Sequence, residues 1–197
     1  MELKLATEAQ MKEAFARDLA AAFPPAELKP LREMISELRR GEYRPWCLFD
    51  GDELVGEAFV WTCGHGWSLF DYLCVSESRR SDGLGSAMIQ MLLEAERGNV
   101  LFGEAEIPAY ADDSAMAERR LGFYKRNGAR RAGYDVCVFG VPYHTLFWAD
   151  GDVPDDDIRR AHEATYRSRF SDAAYRRFIT IPWDESAGLP KKTPWLG

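Results

Sequence analysis

Residues 75–86 read VSESRRSDGLGS, and this stretch joins a predicted strand to a predicted amphipathic helix. Gly83 and Gly85 let the main chain approach a bound group closely, and the unpaired N–H groups at a helix start favour an anion, above all a phosphate. Arg79 and Arg80 add positive charge beside these amides. The stretch therefore predicts an anion site, while close packing of the helix on a sheet is an equally good explanation of the two glycines.

Two familiar nucleotide-binding motifs do not fit this stretch. The dinucleotide fingerprint GxGxxG needs a third glycine at position 88, where the chain has Met88. The GxxxxGK[ST] pattern of a P-loop is also absent from the sequence. The predicted phosphate site therefore belongs to neither of these classes.

The rest of the chain alternates between helical and strand patterns. Before the stretch, the predicted order is a strand at residues 3–5, a helix from Thr7 that ends at Pro24, a second helix with apolar residues from Leu28 to Leu38, and a three-strand antiparallel meander at residues 46–49, 54–63 and 67–75. After it come a helix over residues 84–95, a strand at 100–107, a helix at about 114–126, a turn at Asn127-Gly128 and a β-rich stretch at 134–148. This order predicts a mixed α/β unit that ends near residue 148.

Residues 149–197 continue the chain beyond that unit. Pro154 and the three aspartates after it are typical of a helix start, because carboxylates stabilise the positive end of the helix dipole. The apolar stripe of this helix is predicted to contain Ile158, His162, Tyr166 and Phe170. A shorter helix with Tyr175 and Phe178 is predicted next, and the chain from Asp184 is predicted to be loosely ordered apart from Trp195.

Length and composition restrict the class of protein. A chain of 197 residues, 46% hydrophobic and 29% charged, is predicted to fold as one globular domain with an elaboration. Its formal charge of −7 argues against a protein that mainly binds nucleic acid. The sequence has neither a run of about 20 apolar residues nor a signal-peptide pattern, which predicts a cytoplasmic protein without membrane attachment. Four cysteines without a CxxC pair, and only three histidines, favour neither a disulfide framework nor a metal site.

The loop resembles the acetyl-CoA pyrophosphate loop of the GNAT superfamily of N-acyltransferases. The pattern of that family is Arg or Gln, two residues, Gly, one residue, then Gly or Ala, and Arg80, Gly83 and Gly85 stand at its fixed positions. Residues 123–129, FYKRNGA, are similar to the family's FYxxxG[FA] stretch, whose tyrosine, here Tyr124, faces the CoA sulfur. The resemblance implies an N-acetyltransferase that uses acetyl-CoA as its acyl donor.

The order of elements over about residues 1–148 also matches the family, so the resemblance covers most of the chain. It implies the GNAT acyl-CoA N-acyltransferase fold for residues 1–148, a mixed and mostly antiparallel sheet flanked by helices. Residues 149–197 are then a C-terminal helical extension and tail packed on the same domain. One position departs from the family, because the asparagine that many members carry seven residues before the tyrosine is Ala117 here.

The resemblance further implies which residues bind CoA. The strand before the loop offers main-chain groups to the pantetheine arm, and the loop itself holds the diphosphate. The implied CoA-binding residues are Leu73, Cys74, Val75, Arg79, Arg80, Ser81, Asp82, Gly83, Leu84, Gly85 and Ser86.

Attack of an amine on a thioester needs an acid for the leaving thiolate and a base for the attacking ammonium. Tyr124 is the predicted acid, because a phenol with a pKa of about 10 is protonated at neutral pH and can donate to a thiolate whose conjugate acid has a pKa of about 8.5. Glu104 and Glu106 are candidate bases that share one strand face about 7 Å apart, and Asp71 is a third. The alternative explanation for each carboxylate is a solvated strand end or an arginine partner. The alternative for Tyr124 is simple packing on the sheet.

The predicted reaction is transfer of an acetyl group from acetyl-CoA to a primary amine of a small cationic acceptor, by direct attack in a ternary complex. Two other classes stay open: an acyl-CoA-binding sensor or interaction module without catalysis, and an unrelated α/β phosphate-binding protein. Residues 149–197 either cover the acceptor site or build a homodimer interface. His65 is a candidate for approaching the substrate, and the aromatic residues of the meander either wall the acceptor pocket or form core. Those aromatic residues are Phe59, Trp61, Trp67, Phe70 and Tyr72.

Overall fold

The structure is a computed structural model that describes residues 1–25, 27–64, 66–80, 82–189 and 191–195. His65 and Ser81, two residues considered above, lie outside the described residues. The chain divides into two compact units. The first unit comprises Met1–Thr62, Phe70–Arg97 and Trp195–Gly197, and the second comprises Cys63–Leu69 and Gly98–Pro194.

The first unit contains four strands in the spatial order β1-β2-β3-β4. They are β1 (Glu2–Leu5), β2 (Tyr43–Asp50), β3 (Glu53–Thr62) and β4 (Trp67–Val75), of which residues 70–75 belong to this unit. Strand β2 pairs antiparallel with both β1 and β3. The helices of the unit are α1 (Glu8–Ala14), α2 (Leu31–Arg39) and α3 (Leu84–Ala95). The three predicted strands between the second helix and the loop are therefore confirmed.

Local interactions explain why these elements form where the sequence predicts them. Helix α1 begins with a capping box, in which Gln10 N donates to Thr7 Oγ1 at 3.3 Å and Thr7 N donates to Gln10 Oε1 at 2.9 Å. The helix continues as a π-helical stretch (Phe15–Leu19) and a last α-helical turn (Ala20–Ala22). The chain then leaves the helix before the prolines, as predicted.

Glycine at position 56 lets helix α3 pack closely on the sheet. A Cβ atom added to Gly56 would lie 2.6 Å from Met88 Sδ and 2.9 Å from Cys74 O. Only a residue without a side chain fits there, so the helix that follows the loop is fixed directly against strand β3.

The second unit contains four strands in the spatial order β5-β7-β6-β8. They are β5 (Val100–Glu106), β6 (Arg130–Val138), β7 (Val141–Trp148) and β8 (Ile179–Trp183), and each neighbouring pair is antiparallel. The helices are α4 (Ser114–Arg126), α5 (Asp155–Arg167) and α6 (Asp172–Phe178). With its mixed α/β composition and mostly antiparallel strands, the chain has the predicted fold class.

Two parts of the second unit differ from the prediction. The β-rich stretch at 134–148 begins earlier, at residue 130, and is a hairpin whose turn places Phe139 and Gly140 at positive φ values of 50° and 82°. Strand β8 was not predicted at all, because the short run ITIPW contains Pro182 and follows a helical pattern. It pairs with β6 at one edge of the sheet, and a single 3₁₀ turn (Glu185–Ala187) follows it.

Most of the chain beyond residue 148 folds as part of the second unit, which extends to Pro194. Helix α5 contacts β6 and β8, and three members of its predicted stripe, Ile158, His162 and Tyr166, are buried. The fourth, Phe170, lies beyond the end of the helix.

The Glu57 side chain is fully buried on strand β3. Neither of its carboxyl oxygens has a hydrogen-bond partner of standard geometry among the described residues. Burial, reinforced by the Asp18 carboxylate and opposed by Arg17, raises the pKa of Glu57 to about 9. The folded protein at neutral pH therefore carries Glu57 as a neutral acid, whereas the unfolded chain ionises it.

We expect Glu57 to make the free energy of unfolding fall by up to about 1.4 kcal/mol per pH unit between pH values of about 5 and 8. The pKa of Glu57 is higher in the folded protein than in the unfolded chain. The free energy of unfolding is therefore at its full value below the unfolded-state pKa, and it decreases as the pH rises towards the folded-state pKa. Glu57→Gln is neutral in both states and should remove this slope, whereas the exposed Glu53→Gln on the same strand should keep it. Urea melts across this pH range measure the slopes, and parallel curves for wild type and Glu57→Gln would contradict the assignment.

None of the helices within the described ranges is both long and apolar enough to cross a membrane. The same residues contain no group of three or more His, Cys, Asp or Glu side chains arranged to hold a metal ion. All four cysteines are free thiols.

Candidate active site

The loop before helix α3 presents open main-chain donors. Gly83 has a φ of +76°, a left-handed conformation that glycine adopts without steric cost, and its carbonyl accepts from Ser86 N at 3.1 Å and Ala87 N at 3.2 Å. Within the part of the chain that the structure describes, none of the N–H groups of residues 82–85 donates to another residue. A Cβ atom added at Gly83 would meet no described atom within 4 Å. Among the described residues, the N–H groups of 82–85 and the space beside Gly83 are therefore open.

The two arginines of the loop have different surroundings. The guanidinium of Arg79 lies 3.1 Å from Asp50, 3.5 Å from Glu53 and 3.5 Å from Asp82. The exposed Arg80 instead donates from Nε to the carbonyl oxygen of Val75 at 3.3 Å. The charge of Arg79 is thus balanced by three carboxylates, whereas Arg80 forms no ion pair with a carboxylate among the described residues.

The strand that leads into the loop is firmly held at its end. Ser76 N donates to Val55 O at 3.0 Å, and Ser76 Oγ accepts from Arg17 at 2.7 Å and donates to Asp18 at 3.1 Å. Of the strand residues predicted to bind CoA, Leu73 and Val75 are partly exposed and Cys74 is buried. Burial raises the pKa of the Cys74 thiol to about 12, so this cysteine is not a thiolate nucleophile at neutral pH.

Tyr124 lies on helix α4 in the second unit, two residues before the helix ends. Its ring packs edge-on against Trp148, with ring centroids 5.9 Å apart. Burial raises the pKa of Tyr124 to about 12, and Arg120, one turn earlier on the helix, opposes this shift. The phenol therefore carries its proton throughout the physiological pH range. Ala117, at the position where the family pattern has asparagine, is buried.

The two glutamates of strand β5 are held by different partners. Glu106 Oε2 accepts from Arg120 at 3.0 Å. Glu104 instead accepts from Tyr166 Oη, which lies 3.0 Å from both carboxylate oxygens, and its Oε1 lies 2.9 Å from His162 Nε2. The other ring nitrogen of His162 lies 3.2 Å from Tyr134 Oη. Glu106 is thus paired with a permanent cation, whereas Glu104 is paired with two aromatic side chains of helix α5.

The third predicted carboxylate, Asp71, lies in the first unit. It accepts from Lys29 Nζ at 3.0 Å and from the hydroxyl of Tyr43. Among the aromatic residues of the meander, Phe59, Trp61, Phe70 and Tyr72 are buried and Trp67 is partly exposed. Asp71 therefore lies beside a buried ammonium, in a strongly aromatic environment.

The sequence did not reveal the partners of Glu104 or of Asp71. His162 and Tyr166 stand four residues apart in the apolar stripe of α5, a spacing that predicts only a shared helix face. Lys29 stands in a proline-rich connection with no motif around it. In both cases the interacting residues are at least 28 positions apart, so only the folded chain brings them together.

Part of the chain matches a known protein family, and the fold matches known structures. Residues 41–128 match the family model described as "Acetyltransferase (GNAT) domain". The fold is similar to that of a GNAT-family protein from Bacteroides thetaiotaomicron, with 20% identity, a TM-score of 0.70, and coverage of 85% of this chain and 98% of that one. Residues 41–128 thus match a GNAT acetyltransferase domain, and the wider chain shares the fold of that protein.

Two further structures share the GNAT fold. An aminoglycoside 6'-N-acetyltransferase complexed with coenzyme A is 18% identical with a TM-score of 0.59, covering 78% of this chain and 99% of that one. A variant spermidine N-acetyltransferase from Vibrio cholerae is 9% identical with a TM-score of 0.57, covering 75% of this chain and 94% of that one. No curated protein matches the chain.

The matched GNAT region contains the loop, Tyr124 and all three candidate carboxylates, Asp71, Glu104 and Glu106. Lys29, His162 and Tyr166 lie outside it. The side chains that hold Glu104 are therefore contributed from beyond the matched domain, whereas Asp71 is held by Lys29 from outside it and by Tyr43 from within it.

Proposed function

We propose that this GNAT protein transfers an acetyl group from acetyl-CoA to a primary amine of a small cationic acceptor, by direct attack of the amine in a ternary complex. The loop before α3 carries the proposal, because the N–H groups of residues 82–85 are open at a helix start, where a diphosphate is favoured. A structure that shares the fold is complexed with coenzyme A, and others are named for aminoglycoside and spermidine acceptors, both of which are amines.

In this proposal the loop binds the diphosphate of acetyl-CoA through the amides of residues 82–85, and Arg80 adds a guanidinium. Ser81 belongs to the same set by its place in the motif, although it lies outside the described residues. Leu73, Cys74 and Val75 offer main-chain groups to the pantetheine arm. Arg79 holds the loop to the β2–β3 hairpin through Asp50 and Glu53, a supporting role.

Tyr124 is the proposed acid. An acid for the leaving thiolate has to be protonated before the reaction, and burial keeps the phenol of Tyr124 protonated at neutral pH. Its place in the FYKRNGA stretch of the family supports the assignment.

Glu104 is the proposed base for the attacking ammonium, directly or through a water molecule. Asp71 and Glu106 each accept from a cationic side chain, Lys29 and Arg120, so their negative charge is already balanced. Glu104 accepts from Tyr166 and His162, and this pair holds the carboxylate in one orientation without a lysine or arginine. The C-terminal extension, which supplies both partners, thereby takes part in the proposed chemistry.

The proposed function is tested by incubating the protein with acetyl-CoA and a panel of primary amines that includes an aminoglycoside, spermidine and free lysine. We expect at least one amine to cause release of free CoA thiol and to gain the mass of one acetyl group. Alcohols of matched skeleton are the controls. Thermal melts with acetyl-CoA, ATP and NAD accompany the assay, and acetyl-CoA at 100 times its dissociation constant is expected to add about 2.7 kcal/mol to stability.

Two results would contradict the proposal. If acetyl-CoA stabilises the protein but no amine is acetylated, the protein binds acyl-CoA without being an enzyme. Stabilisation by ATP or NAD but not by CoA would instead indicate a different phosphate-binding class.

A further inference from the structure

The first unit contains a closed cage around the ammonium of Lys29. This side chain is only 1% exposed, and its Nζ lies 3.3 Å from Glu37 and 3.0 Å from Asp71. The same nitrogen lies 3.0 Å from the ring centroid of Trp61, 4.7 Å from that of Tyr43 and 5.5 Å from that of Trp195. We call the five surrounding side chains the ammonium cage. They are Glu37, Tyr43, Trp61, Asp71 and Trp195.

The cage has the chemistry of a binding site for an alkylammonium. Aromatic faces attract a cation through their quadrupoles, most strongly when water is excluded, and carboxylates accept its N–H groups. Burial raises the pKa of Glu37, and the nearby Asp71 carboxylate acts in the same direction, while Lys29 opposes it. Glu37 and Asp71 thus both lie within 3.3 Å of the one ammonium.

Lys29 reaches the cage from a connection whose described residues, 23–25 and 27–30, form no helix or strand. The connection joins the last turn of α1 at Ala22 to the start of α2 at Leu31. The hydroxyl of Tyr72 fastens its main chain to β4 by accepting from Lys29 N at 2.8 Å and donating to Glu27 O at 2.8 Å. The occupant of the cage is therefore carried by a connecting segment and not by a helix or strand.

We propose that the ammonium cage is a subsite for the amine acceptor, and that Lys29 is a built-in occupant that a free alkylammonium displaces. This inference rests on the proposed function for the acceptor's role, although the cage itself is defined by the residues around Lys29. Exchange of one primary ammonium for another conserves both the charge and the cation–π contacts. The lysine side chain delivers its charge on an unbranched stem of four carbons, so the preferred occupant is a linear aliphatic amine such as a diamine, polyamine or lysine side chain.

The first experiment asks whether the emptied cage binds a free alkylammonium. Lys29→Ala removes three carbons and the ammonium, the same atoms that n-propylammonium supplies. We expect the variant to melt at a lower temperature than wild type and to be restabilised saturably by n-propylammonium, with a smaller response in wild type. n-Propanol, which has the same carbon skeleton without the charge, should have no such effect. Equal responses of variant and wild type to the amine, or no response, would overturn the proposal.

The second experiment asks whether Lys29 competes with an acceptor-like amine. Lys29→Met keeps an unbranched side chain without the charge, and calorimetry in the presence of CoA gives the dissociation constant of butane-1,4-diamine. In wild type the apparent affinity for the diamine is the intrinsic affinity multiplied by the fraction of molecules in which Lys29 has left the cage. We therefore expect the variant to bind the diamine at least about fivefold more tightly than wild type. An unchanged or weaker affinity, with CoA binding retained, would make Lys29 a purely structural residue.

A further variant covers the case in which substitutions of Lys29 prevent folding. Tyr72→Phe keeps the ring, which packs edge-on against Phe23 at 5.0 Å, but removes the hydroxyl that fastens the connection. It too should tighten diamine binding, and an unchanged affinity would contradict the proposal.

Failure of the proposed function and failure of this inference are distinguishable. Acetylation of amines without a response from the Lys29 variants would overturn only the cage. If the Lys29→Ala variant binds alkylammonium in the cage but no amine is acetylated, the proposed acetyltransferase activity is contradicted and the cage remains an amine-binding site.

Discussion

Replacing Tyr124 with phenylalanine should lower kcat by about 10²-fold or more while changing the dissociation constant of acetyl-CoA by less than about threefold. The substitution removes the only proton that the side chain can donate and keeps the ring that packs against Trp148. Because the interaction with the thiolate forms during the reaction, its loss acts on turnover rather than on donor binding. Steady-state kinetics together with calorimetric titration of acetyl-CoA measure the two quantities separately.

The same assignment fixes the pH profile of the wild-type enzyme. The pKa of Tyr124 is raised to about 12, so deprotonation of this group should cause no fall in kcat on the alkaline side below a pH of about 10. Tyr175→Phe is the matched control, since Tyr175 is a buried tyrosine of α6 outside the proposed machinery. Full turnover in Tyr124→Phe would remove Tyr124 from the mechanism.

Replacing Glu104 with glutamine should lower kcat/KM by about 10²-fold at neutral pH, because the attacking ammonium then has no base to accept its proton. The defect should shrink as the pH rises, by up to about tenfold per pH unit below the pKa of the acceptor amine, since a growing fraction of the amine is already neutral. The pH dependence distinguishes loss of a base from a misfolded site, which would stay inactive at every pH.

Comparison with two other glutamates tests the choice of Glu104. Glu163→Gln on α5 should leave kcat/KM unchanged, because Glu163 is paired with Arg159 and touches none of the proposed catalytic residues. Glu106→Gln should lose less activity than Glu104→Gln and should show no recovery at high pH. The reverse order of the two losses would move the base to Glu106.

The parts of the molecule that the sequence predicted are those whose signals are local. The loop could be identified because a strand pattern, two glycines and a helix pattern stand next to one another within residues 75–86. The predicted capping box at Thr7 likewise depends on residues three positions apart, and the structure contains it. Helix and strand periodicity also depends on residues close together in the sequence, so it was sufficient to predict the mixed α/β fold class.

The parts that the sequence did not predict depend on contacts between distant residues. Strand β8 carries a proline, and it is a strand because β6 offers a free edge to it, which no local pattern reports. The partners of Glu104 stand about 60 residues away along the chain, on a helix that the sequence marked only as amphipathic. Lys29 had no signal at all, since burial of a lysine is unfavourable unless the fold supplies carboxylates and aromatic faces around it.

The central claim is that the main-chain amides of residues 82–85, with Arg80, hold the diphosphate of coenzyme A. A crystal structure of the protein with bound CoA tests it most directly. We expect diphosphate oxygens at hydrogen-bond distance, about 3 Å, from main-chain nitrogens of this segment, with the guanidinium of Arg80 beside them. A diphosphate bound elsewhere, with these amides donating to the protein itself, would contradict the claim.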